Sequence, residues 1–234
     1  MSAQRTALVT GANRGIGLEV SRQLAGKGFH VFLTARNRKA GIKAAAALQE
    51  QGGKVTFVEL DVANPESIKR AAKEVAAAIN HLDVLVNNAG VLADSDGDVL
   101  QTDPVVVLKT IDTNALGPLR VTQAFARLLG KSDSGRVINV SSGAGALHDM
   151  DNYAPAYSIS KTALNAVTRQ LAAALKSKGV AVNSVSPGWV RTDMGGTGAP
   201  RSVGQGADGI RWLATKAPKD LTGQFVQDRN TIPW

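Results

Sequence analysis

The 234-residue chain contains no cysteine, which excludes both a disulfide framework and a thiolate metal site. Histidine occurs three times, at His30, His81 and His148, too scattered in sequence for a zinc motif, so no metal is expected. Aromatic residues make up 4% of the chain and none interleaves with a Lys/Arg run, which argues against a stacking platform for single-stranded nucleic acid. No run approaches the roughly 18 apolar residues of a membrane span. The opening MSAQR has no apolar signal core. The expectation is a cytoplasmic protein that uses neither nucleic acid nor membrane as a partner.

Acid is also missing, but locally. The net charge is +8, and residues 1–50 carry Arg5, Arg14, Arg22, Lys27, Arg36, Arg38, Lys39 and Lys43 against only Glu19 and Glu50. Positive charge concentrated in about one fifth of the chain, with no aromatics interleaved in a Lys/Arg run, suits a phosphorylated small molecule.

What is present is enough apolar residue, 44%, to bury a sizeable core. Strand-like runs at Thr6–Thr10, His30–Ala35, Lys54–Leu60, Asp83–Asn87, Arg136–Val140, Val180–Ser186 and Gln224–Gln227 alternate with helical stretches. The helices begin near Ile16, Lys39, Pro65, Asp103, Tyr153 and Val203, with Pro65 and Pro104 where a helix start accepts proline. The pattern predicts an α/β class, doubly wound Rossmann-like fold spanning 1–234 as one domain. Its seven-stranded parallel sheet would carry helices on both faces and bind ligand beyond the carboxyl ends of the strands. The glycine-rich stretch 195–209 reads as a substrate-side loop, either a plain connection or a lid.

TGANRGIG puts Gly11, Gly15 and Gly17 between the first strand and the first helix. Backbone amides and the helix dipole favour an anion there, and a Cβ would block the approach of a pyrophosphate. About 20 residues further on, a carboxylate would accept from a ribose 2′-hydroxyl, whereas this chain has Thr34, Ala35 and Arg36. Arg36, with help from Arg14, suits a 2′-phosphate, so NADPH/NADP is favoured over NAD; the bland alternative is a solvated surface arginine.

In YSISK, a spacing of four sets Tyr157 and Lys161 on one helix face. An adjacent ammonium is expected to draw the phenol's pKa toward neutrality and make Tyr157 a general acid. Tyr153 has Tyr157, not a cation, four residues on, and is assigned to the pocket wall or a packed face. RVINVSS brings Ser141 and Ser142 to a strand's carboxyl edge, where one hydroxyl can bind a substrate oxygen and the other cap or turn the chain; Ser142 is the candidate. Leu147, His148, Tyr153, Trp189 and Met194 are candidates for an apolar substrate wall, with simple packing equally open for Trp189.

Taken together, TGANRGIG, NNAG at 87–90, Asn114 in DTNALG, NVSS, YSISK and SPGWVRTDM at 186–194 resemble the short-chain dehydrogenase/reductase family over nearly the whole chain. Within it, TAR at 34–36, LDVLVNNAG, PGWVRTDMGG and 223–234 are similar to the NADPH-dependent carbonyl reductases. The resemblance implies a catalytic set of Asn114, Ser142, Tyr157 and Lys161, with Asn114 holding a water that positions Lys161. It further implies a cofactor set of Gly11, Asn13, Arg14, Gly15, Ile16, Gly17, Arg36, Asp61, Val62, Asn88, Ala89, Gly90, Pro187, Gly188, Val190 and Thr192. Tyr157 and Lys161 would also touch the cofactor. Only fourteen residues separate Ser142 from Tyr157, where some animal carbonyl reductases carry a large insertion over the self-association helices. That implies a homodimer or homotetramer. The implied activity is NADPH-dependent reduction of a small-molecule aldehyde or ketone. A 3-oxoacyl-thioester reductase and an inactive NADPH-binding sensor are the alternatives.

Overall fold

A computed structural model describes residues 4–94 and 97–234, so Met1–Ala3 of the opening stretch and Ser95–Asp96 lie outside the description. Strands β1 (Thr6–Val9), β2 (His30–Ala35), β3 (Val55–Glu59), β4 (Val84–Asn87), β5 (Arg136–Val140), β6 (Ala181–Ser186), β7 (Phe225–Gln227) and β8 (Asn230–Thr231) form one sheet. Its order is β3-β2-β1-β4-β5-β6-β7-β8. All pairs are parallel except β7 with β8, which is antiparallel. The seven expected strands are all there. The eighth was missed because two residues, both exposed, carry no apolar pattern to read.

Alternation along the strands splits the core in two. Ala7, Val9, Val31, Leu33, Val84 and Val86 point to one face and meet Val20, Leu24, Leu48, Ile210 and Leu213. These come from helices α1 (Gly15–Ala25), α2 (Arg38–Glu50) and α7 (Val203–Thr215). Leu8, Phe32 and Leu85 point the other way, onto Ile68, Val75, Val121, Phe125, Leu171 and Leu175. Those belong to α3 (Pro65–Ala78), α5 (Gly117–Leu129) and α6 (Pro155–Leu175). The helix foreseen from Asp103 is α4 (Pro104–Ile111), which runs through a π-helical turn at Asp112–Leu116 into α5.

Most helix starts have local caps. Asn37 accepts from Ala40 N–H, Asn64 from Glu66 and Ser67 N–H, and Asp103 from Val105 N–H. Ser202 and Gln205 form a capping box on α7. That box corrects the expected loop 195–209: Val203–Gly209 is already helix, and the irregular segment after β6 ends at Ser202. Two helices differ. Arg14 before α1 and Ala154 before α6 supply no side-chain cap, and both helices begin at the cleft beyond the strand ends.

Candidate active site

A cleft of about 1350 Å³ runs along the carboxyl edge of the sheet, from the turn after β1 to the segment after β6. At one end lie Gly11, Asn13, Arg14, Gly15 and Ile16, with Arg36, Asp61 and Val62 alongside. The α1 start presents amides with no side-chain cap and has no acidic residue in its first turn, which suits an anion.

The glycines owe their place partly to the fold itself. Gly11 and Gly15 have φ of +61° and +55°, the left-handed region. A Cβ on Gly17 would stand 2.5 Å from Asn88 Nδ2 and 2.8 Å from the Gly11 carbonyl. Gly17 does not line the cleft, so its glycine answers to packing and not to pyrophosphate approach. Only Gly15 has its Cβ position nearly open, with Thr192 Cγ2 at 3.5 Å. Asn88 holds the turn from behind, donating from Nδ2 to the carbonyls of Thr10 (2.9 Å) and Gly11 (3.2 Å). Arg36 is exposed and lines the cleft, as its expected role requires. Arg14 is not a free arginine: its guanidinium pairs with Asp193 across the cleft mouth.

At the other end, Tyr157 and Lys161 lie on the first turns of α6. The 3₁₀ turn Gly143–Gly145 carries Ser142 to them, because Gly145 packs flat on α6, where a Cβ would come within 2.7 Å of Lys161. Asn165 Nδ2 and Thr162 Oγ1 both donate to the Gly145 carbonyl at 3.1 Å and fix that contact. Of the two serines, Ser141 is tied down by donating to Asn165 Oδ1 at 2.8 Å. Ser142 accepts from Ala144 N–H at 3.2 Å, and its hydroxyl stands close enough to the Tyr157 phenol to pull that phenol's pKa down.

The electrostatics run against expectation. Burial pushes the Tyr157 phenol up to about 12; the Ser142 hydroxyl opposes this and the neighbouring Tyr153 phenol adds to it. Burial likewise pushes Lys161 down to about 8. The ammonium's attraction for the phenolate is outweighed by burial here, since Nζ sits 5.5 Å from the Tyr157 ring centroid and donates to the Val140 carbonyl at 2.8 Å. Desolvation of both groups outweighs their mutual attraction.

Asn114 lies fully buried in the π-helical turn and does not line the cleft. Its Oδ1 accepts from Val91 N–H at 2.8 Å, while Nδ2 donates to the Val91 carbonyl (2.8 Å) and Ser160 Oγ (3.0 Å). Among the described residues the Asn114 side chain has no direct hydrogen bond to Lys161.

Ala89, Gly90, Pro187, Gly188 and Val190 also line the cleft, Thr192 lines it beside Gly15, and His148, Tyr153, Trp189 and Met194 complete this part of the lining. Trp189 is 60% exposed and donates from Nε1 to the Gly195 carbonyl at 2.8 Å, so it is a rim residue and not a packed one. Leu147, expected in the wall, is 66% exposed and outside the lining, since the chain turns it outward between Ala146 and His148.

Several residues were not anticipated. Gln227, Ile232 and Pro233 also line the cleft. Asp94 caps α6 from 62 residues away, accepting from Ala156 N–H at 2.5 Å and Tyr157 N–H at 3.3 Å. No spacing rule links Asp94 to a helix so distant, although an uncapped A-P start at 154–155 was a signal that a partner had to come from elsewhere.

A Gly-turn at an open helix start and a tyrosine, lysine and serine at the far end of one cleft define a dinucleotide-binding oxidoreductase class. Residues 5–201 match the family described as short chain dehydrogenase, and the chain belongs to that family. It is 33% identical over 264 residues to (+)-neomenthol dehydrogenase of Arabidopsis thaliana, covering 87% of this chain and 88% of the other. It is 32% identical over 281 residues to carbonyl reductase [NADPH] 1 of Mus musculus, covering 100% and 99%. The NADPH-bound carbonyl reductase from chicken fatty liver superposes with a TM-score of 0.89 at 31% identity, covering 99% of this chain and 94% of that one. The chain is an oxidoreductase with carbonyl reductases among its relatives.

Proposed function

We propose that the protein reduces an aldehyde or ketone to the alcohol with NADPH, Tyr157 giving the proton. The observation that carries this is the placement of the Tyr157 phenol beside the Ser142 hydroxyl, one helical turn from Lys161, in the same cleft as an uncapped helix start. NADPH, when bound, supplies the hydride that no side chain here can provide.

Ser142 donates a hydrogen bond to the carbonyl oxygen and holds it against Tyr157. As negative charge gathers on that oxygen, Tyr157 transfers its proton to it, the O–H bond of the alcohol forms, and phenolate remains. Lys161, with a pKa of about 8, is still mostly an ammonium at pH 7 and stabilises the phenolate until solvent returns the proton. Asn114 keeps Val91 and Ser160 in place around Lys161. Gly11, Asn13, Gly15 and Ile16 would hold the pyrophosphate, and Arg36 the 2′-phosphate. The apolar stretch of Val105, Leu108 and Ile159 exposed on α4 and α6 supports self-association as a homodimer or larger assembly.

Tyr157→Phe should lower turnover of a carbonyl panel by about 100-fold or more while leaving NADPH affinity nearly unchanged. Full activity in that variant overturns the reading. Arg36→Asp should reduce the NADPH/NADH ratio of kcat/KM by about an order of magnitude, and an unchanged ratio refutes the cofactor assignment.

A further inference from the structure

Ile232 and Pro233, in the 223–234 stretch but outside the catalytic and cofactor-binding sets above, line the cleft next to Trp234, whose oxygen accepts from His148 N–H. After β7 the chain turns at Asp228 and Arg229, with φ of +49° and +68°, the paired left-handed turn of a tight hairpin. Neither residue is glycine, so this turn needs holding. Two ion pairs do so. Arg201 grips Asp228 through two bonds of 2.6 and 2.7 Å, and Asp208 accepts from Arg229 at 3.0 and 2.5 Å. One anchor lies in the segment after β6, the other on α7.

β8 then returns the chain along β7, with Ile232 N–H donating to the Phe225 carbonyl at 2.8 Å. Trp234 locks the end in place. Its ring stacks on Phe225 at 5.5 Å and 20°, the Arg169 guanidinium lies 5.8 Å from it, and its carbonyl accepts from His148 N–H at 3.1 Å. The last contact ties this segment to the 146–154 stretch that carries the opposite wall, Tyr153 included. Between the ion-paired turn and the stacked tryptophan, Ile232 and Pro233 line the cleft.

We propose that Ile232, backed by Pro233 and held by Trp234, is a specificity-determining wall that limits the bulk of the apolar group on the carbonyl substrate. This rests on the carbonyl-reductase reading, and deepens it. A side chain held at both ends cannot move aside, so its volume subtracts from the space for substrate and leaves the carbonyl end and the cofactor end untouched. Hydrophobic pockets discriminate by added or missing bulk in this way.

The test compares Ile232→Phe, Ile232→Ala and Trp234→Ala with the full-length parent, using butanal and benzophenone with NADPH. Ile232→Phe should lose about tenfold or more in kcat/KM for benzophenone and keep butanal within about twofold, while Ile232→Ala shifts the ratio the other way. Trp234→Ala should relax the same discrimination without changing NADPH affinity. Dissociation constants for both carbonyl compounds are also measured on the Tyr157→Phe protein, with and without Ile232→Phe, so that the wall is read where nothing turns over. A parent that reduces no member of the panel refutes the reductase reading. Ile232 variants that move both compounds in parallel, or move neither, in rate or in binding, overturn the wall.

Discussion

Replacing Lys161 by methionine should make the protein more stable at neutral pH and inactive, and the gain should vanish in base. The folded protein holds this ammonium buried with a pKa of about 8, against 10.5 for the ordinary side chain. At 1.36 kcal/mol per pKa unit, keeping it charged at pH 7 costs on the order of 3 kcal/mol. Methionine fills a similar space without charge but leaves the Val140 carbonyl without its 2.8 Å donor. That loss costs roughly 1–3 kcal/mol, so the net change at pH 7 lies between about zero and 2 kcal/mol. For a chain of this length each kcal/mol moves Tm by about 2–4 °C. The pH dependence is sharper than the net value. The unfolded chain binds this proton more tightly than the folded one, so the parent gains stability as pH rises from about 8 toward 10.5, where both states become neutral. The variant has no such slope, and its advantage should shrink by roughly 2–3 kcal/mol between pH 7 and pH 10. Thermal or urea melts of both proteins across that range measure it. A stability difference that stays constant with pH refutes the reasoning.

Asp94→Ala should remove the distant cap of α6 and cost about 1–2 kcal/mol. It should also lower kcat more than it changes the KM for NADPH, with Asp94→Asn restoring most of both; equal melting points for parent and alanine variant would contradict the cap. Gly17→Ala should cost roughly 1–3 kcal/mol by driving a methyl to within 2.5 Å of Asn88 Nδ2, and should weaken NADPH binding as Asn88 releases the glycine turn. A variant with parental melting temperature and NADPH affinity would show that the turn has room to relax.

Much of this molecule is written locally in its chain. The short, nearly continuous apolar runs of 6–10, 30–35 and 83–87 yield β1, β2 and β4, because a strand buried on both faces shows in its own neighbouring residues. Asn37, Asn64 and Asp103 start their helices by bonds to amides two or three residues away. The four-residue spacing of Tyr157 and Lys161 likewise fixes their shared face.

The rest depended on groups that meet only after folding. Burial, not the nearby ammonium, sets the direction of the Tyr157 pKa, and burial is a property of the packed cleft. Arg14 is claimed by Asp193, 179 residues away, and the α6 start by Asp94, 62 residues away. Ile232 reaches the substrate end only because an ion-paired turn and a stacked tryptophan fold the last strand back. Sequence determines periodic and neighbouring interactions, since they span a turn or two of chain; desolvation and long-range pairing exist only once the tertiary structure has excluded water and brought distant segments together.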